Sequence, residues 1–533
     1  MRTKIINGRI VDGSGSKSFY GDLCITDGKI SEIGTDLAGN FDRVIDAAGC
    51  VVAPGFIDTH SHSDLKILSD PTVKPKVFQG ITTEVFGQDG ISMAPLPERY
   101  IGDWRKNISG LDGDSDRIDW NYRTAEGYFS LLQKSGLGVN AAYLAPHGNI
   151  RMEAMGLDNR APSPAELEAM KAILRRELEA GAVGLSTGLI YIPCVYAEKQ
   201  ELITLCKVVA EYDGVFVVHQ RSEAGSILTS MQEILDIGRE SGVRVHFSHF
   251  KICGRRNWHF LDEALRMIEQ TESEGVRVSF DQYPYTAGST MLSVILPPWA
   301  HDGGTEKLLQ RLADASVREE LKREILRTDC DWDNFVDFAG LDGIYITSVK
   351  HEKSEDAVGK NLVQLGEMRG VSPLDATFGL LVEEENAVGM IDYYGREDEL
   401  VTIMKRPEQN VCTDGLLGGK PHPRVYGAFP RILGRYVREQ GVLTLEQAVH
   451  KMTGKSAEVY GFSDRGLLKP DYAADIIIFD PEQICDDNSF TEPERYPLGI
   501  RMVMVNGKIA VENGAHTGEL PGMVLKGVNR HGI

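Results

Sequence analysis

The sequence predicts an α/β protein: a TIM-type (β/α)8 barrel, a small β-sandwich domain built from both termini, and a small inserted subdomain. Three observations carry this. The middle of the chain alternates strand-like apolar runs with helical segments, the pattern of parallel strands joined by crossover helices. Eight such runs can be counted, which favours a closed barrel over an open sheet. Both ends of the chain carry short alternating runs punctuated by Asn-Gly and Asp-Gly turns, which are hairpin signals.

At the N-terminus, Lys4–Asn7 and Ile10–Asp12 flank an Asn-Gly turn, and Asp22–Thr26 leads through Asp27-Gly28 into Lys29-Ile30. Near the C-terminus, Ala474–Asp480 and Met502–Ile509 repeat the pattern. Residues 1–54 and 465–525 are therefore expected to form the sandwich. The barrel is expected over 55–285 and 350–464, with strands at 51–58, 81–86, 139–145, 183–186, 215–218, 243–248, 276–281 and 410–413. A helix from Ser163 to Ala180, opened by Ser-Pro and closed by Gly181, has the caps of an outer-ring helix. Residues 286–349 read as the insert, and Ala387–Ile391 offers one further strand.

A chain of 533 residues is too long for one ordinary core and long enough to bury an enzyme pocket. A formal net charge of -21 excludes a basic surface for nucleic acid or anionic lipid, and it requires local cations wherever an anionic substrate binds. The eight cysteines are scattered without a CxxC, the usage of reduced thiols rather than a disulfide framework. No apolar run reaches the length of a membrane span and the first residues lack a signal-like apolar stretch, so the location expected is cytoplasmic, with no membrane partner. The oligomeric state is left open.

The chemistry concentrates at strand ends. The run Val51–Asp58 leads into His60-Ser61-His62, and two imidazoles one residue apart on a strand point the same way. Val215–Val218 runs into His219, Val243–Ser248 into His249, and Val411–Thr413 into Asp414. In a barrel these ends converge on one mouth. Four imidazoles and a carboxylate suit a borderline divalent ion, Zn2+ first, with a position left for water. Asp414 is the natural base for that water's proton and the acid for a leaving nitrogen. His246, on the opposite strand face, is assigned to structure. His147 ends another predicted strand, where it either lines the pocket or is hydrogen-bonded within the fold.

With these residues in view, the chain resembles the D-aminoacylase (N-acyl-D-amino-acid deacylase) family of the amidohydrolase superfamily. Pro54–His62 is shared across the superfamily. Narrower matches are Gly80–Val85, Gly184–Tyr191, His219–Glu223, Ser248–Lys251, Asp281–Thr290, and His422–Arg424 leading into Phe429–Tyr436. The resemblance implies hydrolysis of N-acyl-D-amino acids, with a small-molecule N-acyl amino acid as the only partner. It implies zinc held tightly by His219 and His249, a weaker second position at His60 and His62, and Asp414 as general acid/base. Lys251, Tyr283 and Arg424 are implied as the grip on the substrate carboxylate, and Tyr191, closing its motif, as a further substrate-binding residue.

One departure bears on the metal. Where the family carries a cysteine ligand in an Asn-Cys-Gly context, this chain reads Gly87-Gln88-Asp89-Gly90. Asp89 is a harder ligand that can bridge two ions, so one or two zinc ions, or Mn2+ or Co2+, are expected. The fourth strand ends Ser186-Thr187 with no lysine for a bridging carbamate, which leans away from cyclic amidases of the hydantoinase and dihydroorotase kind. A cyclic amidase, a dipeptidase and a catalytically silent scaffold stay open as alternatives. Arg255 and Arg256, with Lys251, leave an acidic substrate side chain open as well.

Overall fold

The computed structural model describes residues 1–527. Eight strands form the barrel: β1 (Phe56–Asp58), β2 (Ile81–Phe86), β3 (Asn140–Tyr143), β4 (Gly184–Gly188), β5 (Val215–His219), β6 (Arg244–Phe247), β7 (Val278–Gln282) and β8 (Gln409–Val411). Neighbours pair in parallel from β1 to β3 and from β4 to β8. The continuation of β3, Ala145–Pro146, pairs with β4 and joins the two runs. The expected fold class is borne out. The helix at Pro164–Ala180 carries a full capping box between Ser163 and Glu166 and ends at Gly181.

The circle closes between β8 and β1 largely through side chains. Past the strand ends, Gly415–Leu416 pairs with Ser61–His62. Below them, the fully buried Lys76 places Nζ 2.8 Å from Asp58 Oδ2, 2.9 Å from Ser61 Oγ, 2.6 Å from Thr413 Oγ1 and 3.1 Å from Glu84 Oε1. The Thr413 amide donates to Asp58 Oδ1 at 2.8 Å. Two buried carboxylates and an ammonium so satisfy one another, the condition under which charge is tolerated in an interior.

The first predicted strand, 51–58, is two strands. Val51–Pro54 pairs antiparallel with Ile476–Phe479 in the terminal sheet, and only Phe56–Asp58 belongs to the barrel. Gly55 makes the corner: a Cβ there would lie 2.2 Å from Thr82 Cγ2, so no larger residue fits the crossing. The terminal sheet has nine strands drawn from both chain ends. Its central strands face two cores, as a period of two requires. Val52, Ile476 and Ile478 pack among Ile5, Leu23 and Met504, whereas Val51, Ala53, Ile477 and Phe479 pack toward the barrel's last helices.

Two expected boundaries move. The insert is longer than 286–349, because Ala287–Met291, Gly389–Tyr393 and Ile344–Ser348 form one antiparallel sheet. The helices between them share its apolar core, which runs from Leu292 to Met390. The strand read at 387–391 therefore belongs to the insert. The stretch after residue 520 leaves the terminal sheet: Pro521 and Val524 bridge to Leu137 and Ala141 beside β3, and Val524 is buried among barrel residues. No helix among the described residues is long and apolar enough to cross a membrane.

Candidate metal centre and active site

Each predicted metal residue, and with them the predicted acid/base Asp414, sits at or just past the end of a barrel strand, at one end of the barrel and buried: His60 and His62 after β1, Asp89 after β2, His219 closing β5, His249 after β6 and Asp414 after β8. Three of them adopt left-handed backbone: Asp89 at φ 56°, His249 at φ 36° and Asp414 at φ 45°. Such geometry costs energy in a non-glycine residue, and it collects where the surroundings force a side chain to a required position.

The side chains converge. His60 Nε2 and His62 Nε2 lie 3.3 Å apart, and Asp414 Oδ1 stands 3.7 Å from the first and 3.4 Å from the second. Asp89 faces this group and the next: its Oδ2 is 3.5 Å from His62 Nε2, and its Oδ1 is 3.7 Å from His60 Nε2 and 3.8 Å from His249 Nε2. His219 Nδ1 and His249 Nε2 are 2.9 Å apart. Four donors placed tetrahedrally at about 2.0–2.1 Å from an ion stand roughly 3.3–3.4 Å from one another, close to most of these separations. Asp89 Oδ1 and His219 Nε2 are buried without a hydrogen-bond partner. Spacing, donor type and the orphaned carboxylate oxygen all fit a divalent cation held by nitrogen and oxygen.

The electrostatics follow from this crowding. Burial works to raise the Asp414 and Asp89 carboxyls, yet both are held well below the usual range, Asp414 by Arg424 and His60 and Asp89 by His60 and His249. Burial, with the neighbouring His249, brings His219 down to about 4, whereas the facing carboxylates of Glu223 and Asp89 raise His249 to about 9. Arg424, fully buried, sets a guanidinium nitrogen 2.9 Å from Asp414 Oδ2 and donates to the Ser289 carbonyl at 2.9 Å. His422 holds the turn before it, accepting from the Arg424 amide at 3.0 Å and donating to the Ala287 carbonyl at 3.0 Å.

Lys251, Tyr283 and Arg424 stand together beside the cluster, with Arg424 Cζ 4.4 Å and Lys251 Nζ 6.0 Å from the Tyr283 ring centre. Tyr191 closes another side, its ring 5.4 Å from that of His219 and its hydroxyl 2.9 Å from Thr290 Oγ1. His147 is not with them. It is fully buried, 2.9 Å from Thr187 Oγ1 and 2.8 Å from Glu201 Oε1, in a network that Arg151 completes, and it does not line the pocket. The structure thus corrects its assignment as a substrate-binding residue: its strand continues into Pro146, and the helix starting at His147 carries the ring behind β4. His246 is structural as expected, bonded to Ser279 and Asp281. Arg255 and Arg256 are exposed, Arg256 pairing with Asp337.

Sequence reasoning missed several buried carboxylates around the donors. Asp281 accepts from the His249 amide, Asp112 lies 3.5 Å from His62 Nδ1, and Glu223 lies 3.1 Å from His249 Nδ1. Glu223, four residues after His219 within a matched motif, carried a signal. Asp112, in a loop without periodicity, carried none.

Comparison with known proteins agrees with this geometry. The profile described as Amidohydrolase family matches residues 43–313 and 412–511. The chain is 35% identical over 98% of its length to an N-acyl-D-aspartate deacylase of Alcaligenes xylosoxydans, covering 94% of that protein. It is 32% identical over 98% to a D-aminoacylase of the same organism, covering 96% of it. Among solved structures, an N-acyl-D-glutamate deacylase from Bordetella bronchiseptica, complexed with zinc and a phosphonate inhibitor described as a mimic of the tetrahedral intermediate, superposes with a TM-score of 0.83 at 34% identity, covering 98% of this chain and 99% of that one. The chain belongs to the amidohydrolase family, in its D-aminoacylase branch.

Proposed function

We propose that this chain is a zinc-dependent deacylase that cleaves the amide of N-acyl-D-amino acids to a carboxylate and a free D-amino acid in the cytoplasm. The observation that supports this best is the juxtaposition of the donor cluster His60, His62, Asp89, His219, His249 and Asp414 with the cations Lys251 and Arg424. Zinc held there supplies an acidified water and a Lewis acid for the scissile carbonyl. His219 and His249 would hold one ion and His60 and His62 a second, and Asp89, which faces both pairs, would be a carboxylate ligand to them.

The remaining chemistry belongs to the chain. Asp414, kept ionised by Arg424, accepts the water's proton and delivers it to the leaving nitrogen. Lys251, Tyr283 and Arg424 receive the α-carboxylate, and a planar guanidinium suits a bidentate grip. These groups supply the local cations that a chain of net charge -21 needs for an anionic substrate. Tyr191 closes the pocket on the side of His219. Beside it, an apolar cavity lined by Leu189, Ile192, Met291 and Leu296 gives room for the rest of the molecule.

The test is metal analysis of the purified protein together with amine release from N-acetyl and N-formyl D- and L-amino acids. Release from the D series with one or two zinc ions per chain is expected. Bound zinc with ring-opening of hydantoins and no release from open-chain amides would move the assignment to a cyclic amidase.

A further inference from the structure

Glu223 lies at the centre of a set of contacts that the reaction itself does not require. Its Oε1 is 3.1 Å from His249 Nδ1 and its Oε2 is 2.6 Å from Lys251 Nζ, and the residue is buried. Its amide donates to Asp333 Oδ2 at 2.6 Å, the neighbouring Ser222 hydroxyl donates to Asp333 Oδ1 at 2.6 Å, and its carbonyl accepts from the Cys253 amide at 2.6 Å. Asp333 belongs to the insert, not to the barrel. We propose that Glu223 is a positioning residue that orients His249 and Lys251 together, and that the insert locks it in place through Asp333.

The two nitrogens of His249 decide the first half. Nε2 faces the donor cluster, 2.9 Å from His219 Nδ1 and 3.8 Å from Asp89 Oδ1. Nδ1 is therefore the outward nitrogen, and it is the one Glu223 meets. An imidazole that ligates through Nε2 carries its proton on Nδ1, and donating that proton to a carboxylate fixes both tautomer and ring plane. Lys251 Nζ is also 2.9 Å from Nδ1 and, having only donors, could bond it only while Nδ1 is bare; once Nε2 ligates, Nδ1 carries the proton for Glu223 and Lys251 is held by the other carboxylate oxygen. Glu223 Oε2 is also 4.0 Å from His219 Nε2, so the one carboxylate borders both histidines of the pair.

The second half follows from connectivity. Ser222 and Glu223 follow β5 in the barrel, whereas Asp333 precedes a helix, Phe335–Ala339, in a unit with its own apolar core. Two bonds donated by consecutive residues to one carboxyl group fix the turn, so a shift of the insert would carry Glu223, and with it His249 and Lys251. The effect on His249 is independent of the substrate; the effect on Lys251 rests on the deacylase reading above.

Zinc competition against a chromophoric chelator, read beside steady-state kinetics, tests this on Glu223→Gln, Asp333→Asn and their combination. Losing an outer-shell carboxylate typically weakens metal binding by about 10- to 100-fold, and Glu223→Gln is expected in that range. Asp333→Asn is expected to weaken zinc in the same direction and to raise KM for an N-acetyl-D-amino acid. The double variant should fall no further than Glu223→Gln alone, because both act through one turn. Wild-type zinc affinity and KM in folded Asp333→Asn, or fully additive losses, would overturn the proposal. Ser222→Ala, which removes only one bond to Asp333, serves if Asp333→Asn does not fold, and the same two outcomes decide. Should the wild-type chain release amine from no N-acyl-D-amino acid, the deacylase reading fails while the zinc measurement still decides the link from Asp333 to His249.

Discussion

Asp414 and Arg424 meet at 2.9 Å, and this contact joins the proposed acid/base to the proposed carboxylate grip. Replacing Asp414 with Asn removes the proton acceptor while keeping its shape. Retained zinc with kcat lowered by about 10²- to 10⁴-fold is expected, checked by metal analysis and steady-state rates. Near-normal turnover in a zinc-loaded Asp414→Asn variant would sink the assignment. Arg424→Ala is expected to raise KM and also to move the pH profile. Burial pushes Asp414 up and Arg424 holds it down, so without the guanidinium its carboxyl rises. A base works only when deprotonated, so the acid limb of kcat/KM should shift to higher pH, and an unmoved limb would separate the two residues. Asp89→Ala removes a carboxylate facing both histidine pairs, and a fall in zinc per chain is expected by elemental analysis.

At the scale of elements, β8 and β1 themselves meet by way of Lys76, Asp58, Glu84 and Thr413, with backbone pairing only past their ends, where other neighbours use a backbone ladder. Lys76→Met would leave two buried carboxylates without their counter-charge. Breaking a buried pair in this way costs about 3–5 kcal/mol, so a clearly lowered unfolding midpoint is expected in a thermal melt. The strands themselves were largely legible. β2 begins and ends where alternation and turns place it, and β5 ends in His219 as read. The break at Gly55 was not legible, because Val51–Asp58 is one apolar run and only its partners, Ile476–Phe479 on one side and β2 on the other, divide it. The insert's end was misplaced for the same reason: Gly389–Tyr393 has the composition of any buried strand, and pairing with Ala287–Met291 assigns it.

For the whole molecule, the site is a meeting of residues at the ends of seven barrel strands, with a carboxyl group of the insert bonded to the Ser222–Glu223 turn beside it. A metal that binds the folded chain and not the unfolded one stabilises it by mass action, about 4 kcal/mol when free metal exceeds its Kd a thousandfold. Stripping zinc with a chelator is thus expected to abolish amine release and lower the melting temperature together, with zinc restoring both. Loss of activity without a thermal shift would place the metal's role in catalysis alone. The acidic surface predicts weak binding to nucleic acid, and the cations that matter are buried rather than displayed.

The sequence by itself determined the barrel, the terminal sheet drawn from both chain ends, and the strand-end residues His60, His62, His219, His249 and Asp414, because strand period and turn chemistry are local and fix which side chains reach the mouth; Asp89 came from the family resemblance. The tertiary structure alone decided that His147 serves a buried network, that Asp112, Asp281 and Glu223 surround the donors, and that Asp333 reaches the Ser222–Glu223 turn from the insert. Those facts depend on which distant segments are packed together. The Lys76 and Asp333 contacts span separations of up to 337 residues, and no local pattern encodes a partner that far away.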